Sequence, residues 1–429
     1  MTPVRFRPLL RATLIPLVIG LPAGPLAAQD WVQATYEALP AATGRVAGGL
    51  TAAPAGLNAG TDSSGRTANF GPLALNLAAF GEVEYSDNVR LDPAGEAGLT
   101  VAGGLRFDAT YAFSRLQDLS LRGTFSTHAP VVGPGRRERL FSVSPDSALR
   151  FNLWIRQLRV SPFLRYSRHF DPVLSPVVND TVILDQAAVT TGVQADLPLH
   201  AAGVQLLFLR DRRSQQGDRD LSRTAWSDVA ALRLVRRLTP GQTLIADVAV
   251  NSTTMVGGPA DDARLLSLVL TDEWLISRRL TLRAGAGITR HSYRGSRLAS
   301  DTTAATRPVY SVAVSHEARS NLTYDLRYQR SLQDGVGSNF YRLDDLTFAP
   351  RYRFSEAFHL EAGATHQWVR ESGRDAEIAR RWTASLGVGV DLNARLNLRL
   401  GLGRTIRSSN DPLRRYGQNR LTFQINQAL

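Results

Sequence analysis

The chain has 429 residues, with 50 basic and 38 acidic side chains, a formal net charge of +12 and no cysteine. Without thiols there are no disulfides, no thiolate metal site and no lipid-bearing N-terminal cysteine, so backbone pairing and packing must hold the fold. Every basic residue is arginine, and because the arginines are scattered rather than gathered into a patch, nucleic acid is not expected as a partner.

Residues 1–28 have the plan of a secretory signal. Arg5, Arg7 and Arg11 form a basic start, Leu14 to Leu21 an apolar stretch, and Leu26-Ala27-Ala28 a small-residue cleavage site. The apolar stretch is too short, and too broken by Pro16 and Gly20, for a spanning helix. No later segment has an apolar run of spanning length, which excludes an inner-membrane helical protein. Residues 29–70 are rich in Ala, Gly and Thr and predict a flexible periplasmic segment, with one short helix over 31–39.

From Leu73 onward the pattern changes and stays constant. Stretches of about ten residues alternate apolar and polar side chains, as in Leu396-Asn397-Leu398-Arg399-Leu400 and Leu280-Thr281-Leu282-Arg283. Helical spacing would put Arg399 and Leu402 on one face. Between strands a recurrent plan appears around Ser114, Ser277, Ser355 and Asn393: an apolar residue ends a strand, Ser or Asn opens a tight turn, and alternation resumes. Longer polar stretches separate these hairpins, near 210–222, 293–306, 331–339, 371–377 and 408–414. Short turns on one side and long loops on the other mark an outer-membrane barrel. Counting the alternating segments predicts an all-β, antiparallel up-and-down barrel of about eighteen strands, or sixteen, over residues 71–429.

Alternation alone also fits a soluble sandwich. The membrane is favoured by a polar face of Gly, Thr, Ser, Asn and Arg suited to water, by strand lengths beyond those of sandwiches, and by aromatic residues near segment ends, such as Tyr85, Trp226, Trp274 and Trp382. An open sheet edge in hydrocarbon leaves backbone groups unpaired, so the strands must form a ring. Residues 420–429 supply a last strand able to close on the first. The terminal Leu429 departs from the aromatic residue that barrel-assembly machinery often recognises.

The segment Phe80-Gly81-Glu82-Val83-Glu84-Tyr85-Ser86-Asp87-Asn88-Val89 resembles the first strand and Tyr-Ser-Asp-Asn turn of porin-type outer-membrane barrels, a group that includes proteins found beside exopolysaccharide and exosortase systems. The resemblance implies an outer-membrane location and polysaccharide export, and it carries over no catalytic residue. The residues themselves need only a plainer account, in which Tyr85 is an interface aromatic and Asp87-Asn88 starts a loop.

The parts of an enzyme do not assemble. Seven histidines occur without metal-ligand spacing, there is no Gly-x-Ser-x-Gly elbow, and the pairs Asp261-Asp262 and Asp344-Asp345 fall in or near predicted loops. No catalytic residue, metal or cofactor is expected. What remains is the lumen. With the apolar positions facing lipid, the inward cations are Arg106, Arg122, Arg159, Arg165, Arg283, Arg327, Arg351, Arg353, Arg395 and Arg399. The inward anions are Glu82, Glu84, Asp108, Asp247, Asp325, Glu361 and Asp391. Inward arginine attracts anions, unless opposed charges merely pair across strands. The expected function is a passive channel or conduit for polar solutes, including anionic ones and saccharides, narrowed by a loop at 171–186 or 293–306. The alternative is a non-conducting surface barrel that acts through its extracellular loops. Membrane lipid, the assembly machinery and a polar solute or polysaccharide are the expected partners.

Overall fold

A computed structural model describes residues 68–89, 91, 93–133, 140–144, 147–169, 185–216, 223–256, 262–294, 304–334, 339–373 and 376–429. The expected signal at 1–28, residues 29–67 and most of both candidate constriction loops lie outside these residues. Twenty strands follow in chain order: β1 (Ala68–Phe70), β2 (Leu73–Ser86), β3 (Gly98–Ser114), β4 (Gln117–Val132), β5 (Leu140–Val143), β6 (Ala148–Ile155), β7 (Leu158–His169), β8 (Asp185–Leu199), β9 (Ala202–Gln216), β10 (Arg223–Thr239), β11 (Gln242–Val256), β12 (Asp262–Ser277), β13 (Leu280–Arg294), β14 (Ala304–Arg319), β15 (Leu322–Asp334), β16 (Phe340–Arg353), β17 (Phe358–Glu371), β18 (Ile378–Asn393), β19 (Leu396–Ser409) and β20 (Tyr416–Ala428). A single 3₁₀ turn, Pro412–Arg414, joins the last two.

The pairings are antiparallel and the sheet closes on itself. β2 pairs with β20 from Ala78 opposite Ala428 to Ser86 opposite Arg420. β1 pairs with the start of β2, Ala68 opposite Leu75, where β20 has already ended, and so fills the rest of the seam. β5 and β6 both lie between β4 and β7 and make one interrupted stave. With β1 counted as a filler and β5–β6 once, the wall has eighteen staves. Closure gives every stave a neighbour on both sides, which hydrocarbon demands.

The two faces separate cleanly. On β12, Leu266, Leu268 and Leu270 are about half exposed, whereas Leu265, Ser267 and Thr271 on the alternate face are buried. The same parity makes Leu206, Phe208, Leu234, Val250, Ile288, Leu326, Phe348, Leu386, Leu400, Leu402 and Phe423 an exposed apolar belt around the ring. Such an area on a soluble protein would aggregate; around a closed barrel it is the lipid-facing surface.

The short turns are built by the residues that marked them in the sequence. The Ser114 hydroxyl accepts from the Leu116 N–H at 3.1 Å, Ser277 from Arg279 at 3.2 Å, and Ser355 from Phe358 at 3.1 Å. Asn393 accepts from both Arg395 and Leu396. Each side chain stands in for a backbone acceptor and reverses the chain within a few residues.

The Tyr85-Ser86-Asp87-Asn88 segment holds the opposite rim of the seam. Asp87 accepts from the backbone and side-chain nitrogens of Asn419, both at 2.6 Å. The Asn88 amide donates to the Gly417 carbonyl at 3.0 Å, and Gln418 donates to Ser86 and to the Asn88 carbonyl. Tyr85 faces outward and is 45 % exposed. The motif therefore ties the first long stave to the last beyond the point where their ladder ends.

Candidate pore lining

Alternation puts Glu82, Glu84, Arg106, Asp108, Arg122, Arg159, Arg165, Asp247, Arg283, Asp325, Arg327, Arg351, Arg353, Glu361, Asp391 and Arg399 on the inner face. Arg395 is the exception. Asn393 caps its N–H and closes the β18–β19 turn there, so Arg395 sits at the rim rather than on the wall.

Much of this inner charge is paired across strands one or two places apart. Arg122 binds Asp108 at 2.8 Å in a well-exposed position. Arg159 binds Asp196 at 2.8 Å, and Gln194 and Gln205 also donate to that carboxylate. Arg351, at 2.9 Å, and Arg399 flank Glu361. Arg420 reaches Glu84 at 3.5 Å, and Asn397 donates to Asp391. Arg233, which is 1 % exposed, makes a two-pronged contact with Asp247 at 2.6 and 3.1 Å. Buried ions of this kind hold only as a set, because removing one partner strands the other without solvent.

One stretch of the wall is different. On β6 and β7, Arg150, Arg159 and Arg165 share the inner face with Asn152, Trp154, Ser161 and Phe163. Arg150 opposes Phe163, and Arg165 lies two positions along the same face. Both guanidinium carbons lie over the Phe163 ring, at 5.7 and 5.0 Å from its centroid, while Arg159 covers Trp154 at 5.6 Å. Ring faces attract cations without neutralising them. Gly192 on β8 makes this possible, since a Cβ there would strike the Phe163 ring. Arg165 has no carboxylate partner among the described residues. Arg327 on the far wall donates to the neutral Gln329.

A hairpin that the sequence did not single out packs against the inner wall. β15 pairs with β14 only as far as Arg330, opposite Tyr310, but with β16 on to Asp334, opposite Phe340. Beyond Arg330 the β15–β16 hairpin parts from β14, while β16 stays paired with β17 as far as Tyr341, opposite Glu371. Leu332 and Phe340 pack on Ala263, Tyr293 and Ala305, all on the inner faces of β12, β13 and β14. The Phe340 ring stacks on Tyr293 with centroids 6.1 Å apart, and His291 joins them. Alternation alone would have sent Phe340 outward with Arg342 and Asp344. Replacing Leu332 and Phe340 by Ser should release this tip, because losing a buried Phe costs about 3–5 kcal/mol. The expected result is a larger single-channel conductance with an unchanged folded fraction; an unaltered conductance would place the constriction elsewhere.

Sequence reasoning also passed over Arg150, Arg233, Arg381 and Arg407. Their parity was readable, because Leu149, Phe151 and Leu153 all take the opposite face from Arg150. For Phe340 no sequence signal existed.

No family model matches the sequence, and no curated protein matches it by sequence. Solved structures do match in shape. Pseudomonas aeruginosa OccK7 (OpdD) is similar at a TM-score of 0.50 and 10 % identity, over 84 % of this chain and 99 % of that one. Pseudomonas aeruginosa OccK9 (OpdG) is similar at 0.50 and 12 % identity, over 83 % and 98 %. Pseudomonas aeruginosa OpdL is similar at 0.50 and 9 %, over 83 % and 98 %. At these identities the likeness establishes the fold, a closed antiparallel barrel.

Proposed function

We propose that this chain is a bacterial outer-membrane channel that passes small polar solutes by diffusion and favours anions. The observation that carries the proposal is the β6–β7 wall, where inward Arg165 lies over the Phe163 ring with no carboxylate partner among the described residues, beside Arg150 on the same ring and Arg159 on Trp154. Fixed positive charge in a low-dielectric tube concentrates anions and repels cations. An eighteen-stave ring is wide enough for a water-filled bore. The apolar belt and the export signal read at residues 1–28 support the outer membrane.

The finer reading, a conduit for exported polysaccharide, has the resemblance of residues 80–89 as its support. The inward hairpin and the close packing of Arg233, Arg381, Arg399 and Arg407, each at most 6 % exposed, favour a small solute over a polymer. The same packing is what favours the second reading, a plugged barrel acting through its loops.

Purified, folded protein inserted in a planar bilayer under a KCl gradient should give discrete conductance steps. Its reversal potential should have the sign of chloride preference. Steps with cation preference would refute the charge assignment. Insertion without conductance would establish the plugged barrel instead.

A further inference from the structure

We infer that the lipid-facing wall carries two sites for the headgroup phosphate of an anionic lipid, at the rim that bears the long connections. On β12 and β13, Arg264 and Arg290 both point outward. Arg264 opposes Ser292 and Leu266 opposes Arg290, so the two arginines are diagonal neighbours on adjacent strands. On β17 and β18, Arg370 and Arg380 repeat the arrangement, with Arg370 opposite Ile378 and Trp368 opposite Arg380. All four side chains are exposed.

Below the first pair the wall is apolar, with Leu266, Leu268 and Ile288 about half exposed. Below the second it is aromatic, with Trp368 and the 54 % exposed Trp382 packed on His366. None of the four arginines has a carboxylate partner among the described residues. Other outward arginines find a partner within the chain, Arg212 on the Trp226 ring and two clusters on carboxylates. Outward Arg210 binds Asp228 at 2.7 Å, and Asp344 accepts from Arg330 at 2.5 Å and lies 3.2 Å from Arg342.

A guanidinium at the edge of hydrocarbon needs a counter-ion, and two held side by side suit a phosphate, whose oxygens accept paired N–H donors. The apolar wall beneath accommodates an acyl chain attached to that phosphate. The ligand that fits both features is therefore a lipid, because free phosphate would leave the wall unused. Polybasic positions next to a membrane gain affinity for anionic headgroups in the same way.

The test is native mass spectrometry of the full folded barrel in detergent, titrated with phosphatidylglycerol or with phosphatidylcholine. Wild-type protein should retain phosphatidylglycerol in preference to phosphatidylcholine. The variants R264Q/R290Q and R370Q/R380Q should each lose about tenfold in retention at one site, the worth of a lost charge-assisted bond. Heat-modifiable migration and conductance should stay as in the wild type, because these side chains face away from the lumen. Equal retention of the two lipids by the wild type would overturn the inference without touching the channel reading. So would undiminished retention in both variants, or displacement of phosphatidylglycerol by inorganic phosphate at equal concentration.

Discussion

A chain ending at Arg415 should give no folded barrel. β20 contributes twelve residue pairs to β19 and nine to β2, so its loss opens two edges at once. In hydrocarbon each unpaired backbone group costs several kcal/mol. Even a handful of them exceeds the roughly 5–15 kcal/mol by which a folded domain is ordinarily stable. The seam clasp disappears too, since Asp87, Asn88 and Ser86 all bind residues of β20. Refolding into detergent followed by electrophoresis with and without heating is the measurement. Wild-type protein should migrate differently before and after boiling, and the truncated chain should not. A truncated chain that kept heat-modifiable migration would mean that the ring does not depend on the β2–β20 seam.

That dependence explains which parts of the molecule were legible in the sequence. Periodicity of two is a local property, so the staves and their two faces could be read residue by residue, as at Leu266-Ser267-Leu268. The short turns were readable because Ser114, Ser277, Ser355 and Asn393 act on donors only two or three residues away. The stave count followed from both. What alternation does not encode is where a strand leaves the sheet. Leu332 and Phe340 read as ordinary strand-end apolar residues, and only contact with Ala263 and Tyr293, some 40–75 positions earlier in the sequence, turns the hairpin inward. Arg395 failed for a related reason: one turn residue more or less decides whether it ends a wall or starts one. Pairing partners were likewise invisible, because which inner carboxylate meets which arginine depends on register. Glu361 is 38 positions from Arg399 and 10 from Arg351, and it binds both.

Register also determines which arginines offer the fair test of anion preference. Replacing Arg165 and Arg327 by Glu should reverse the sign of the reversal potential in a KCl gradient, from chloride-selective to potassium-selective. Arg165 rests on the Phe163 ring and Arg327 on Gln329, so neither change abandons a buried carboxylate. Reversing Arg351 and Arg399 would be a different experiment. Glu361, 4 % exposed, would then face two further carboxylates, and like charges so placed destabilise the wall before they alter any current. At Arg165 and Arg327 the substitution instead moves four units of charge on a lumen whose remaining arginines are largely matched, as at Asp108, Asp196, Asp247 and Glu361. In a narrow low-dielectric tube the unmatched charges set the potential that permeant ions meet. If the folded double variant keeps the wild-type reversal potential, permeant ions do not pass the β6–β7 wall, and the inner arginines serve the barrel only as cross-strand ties.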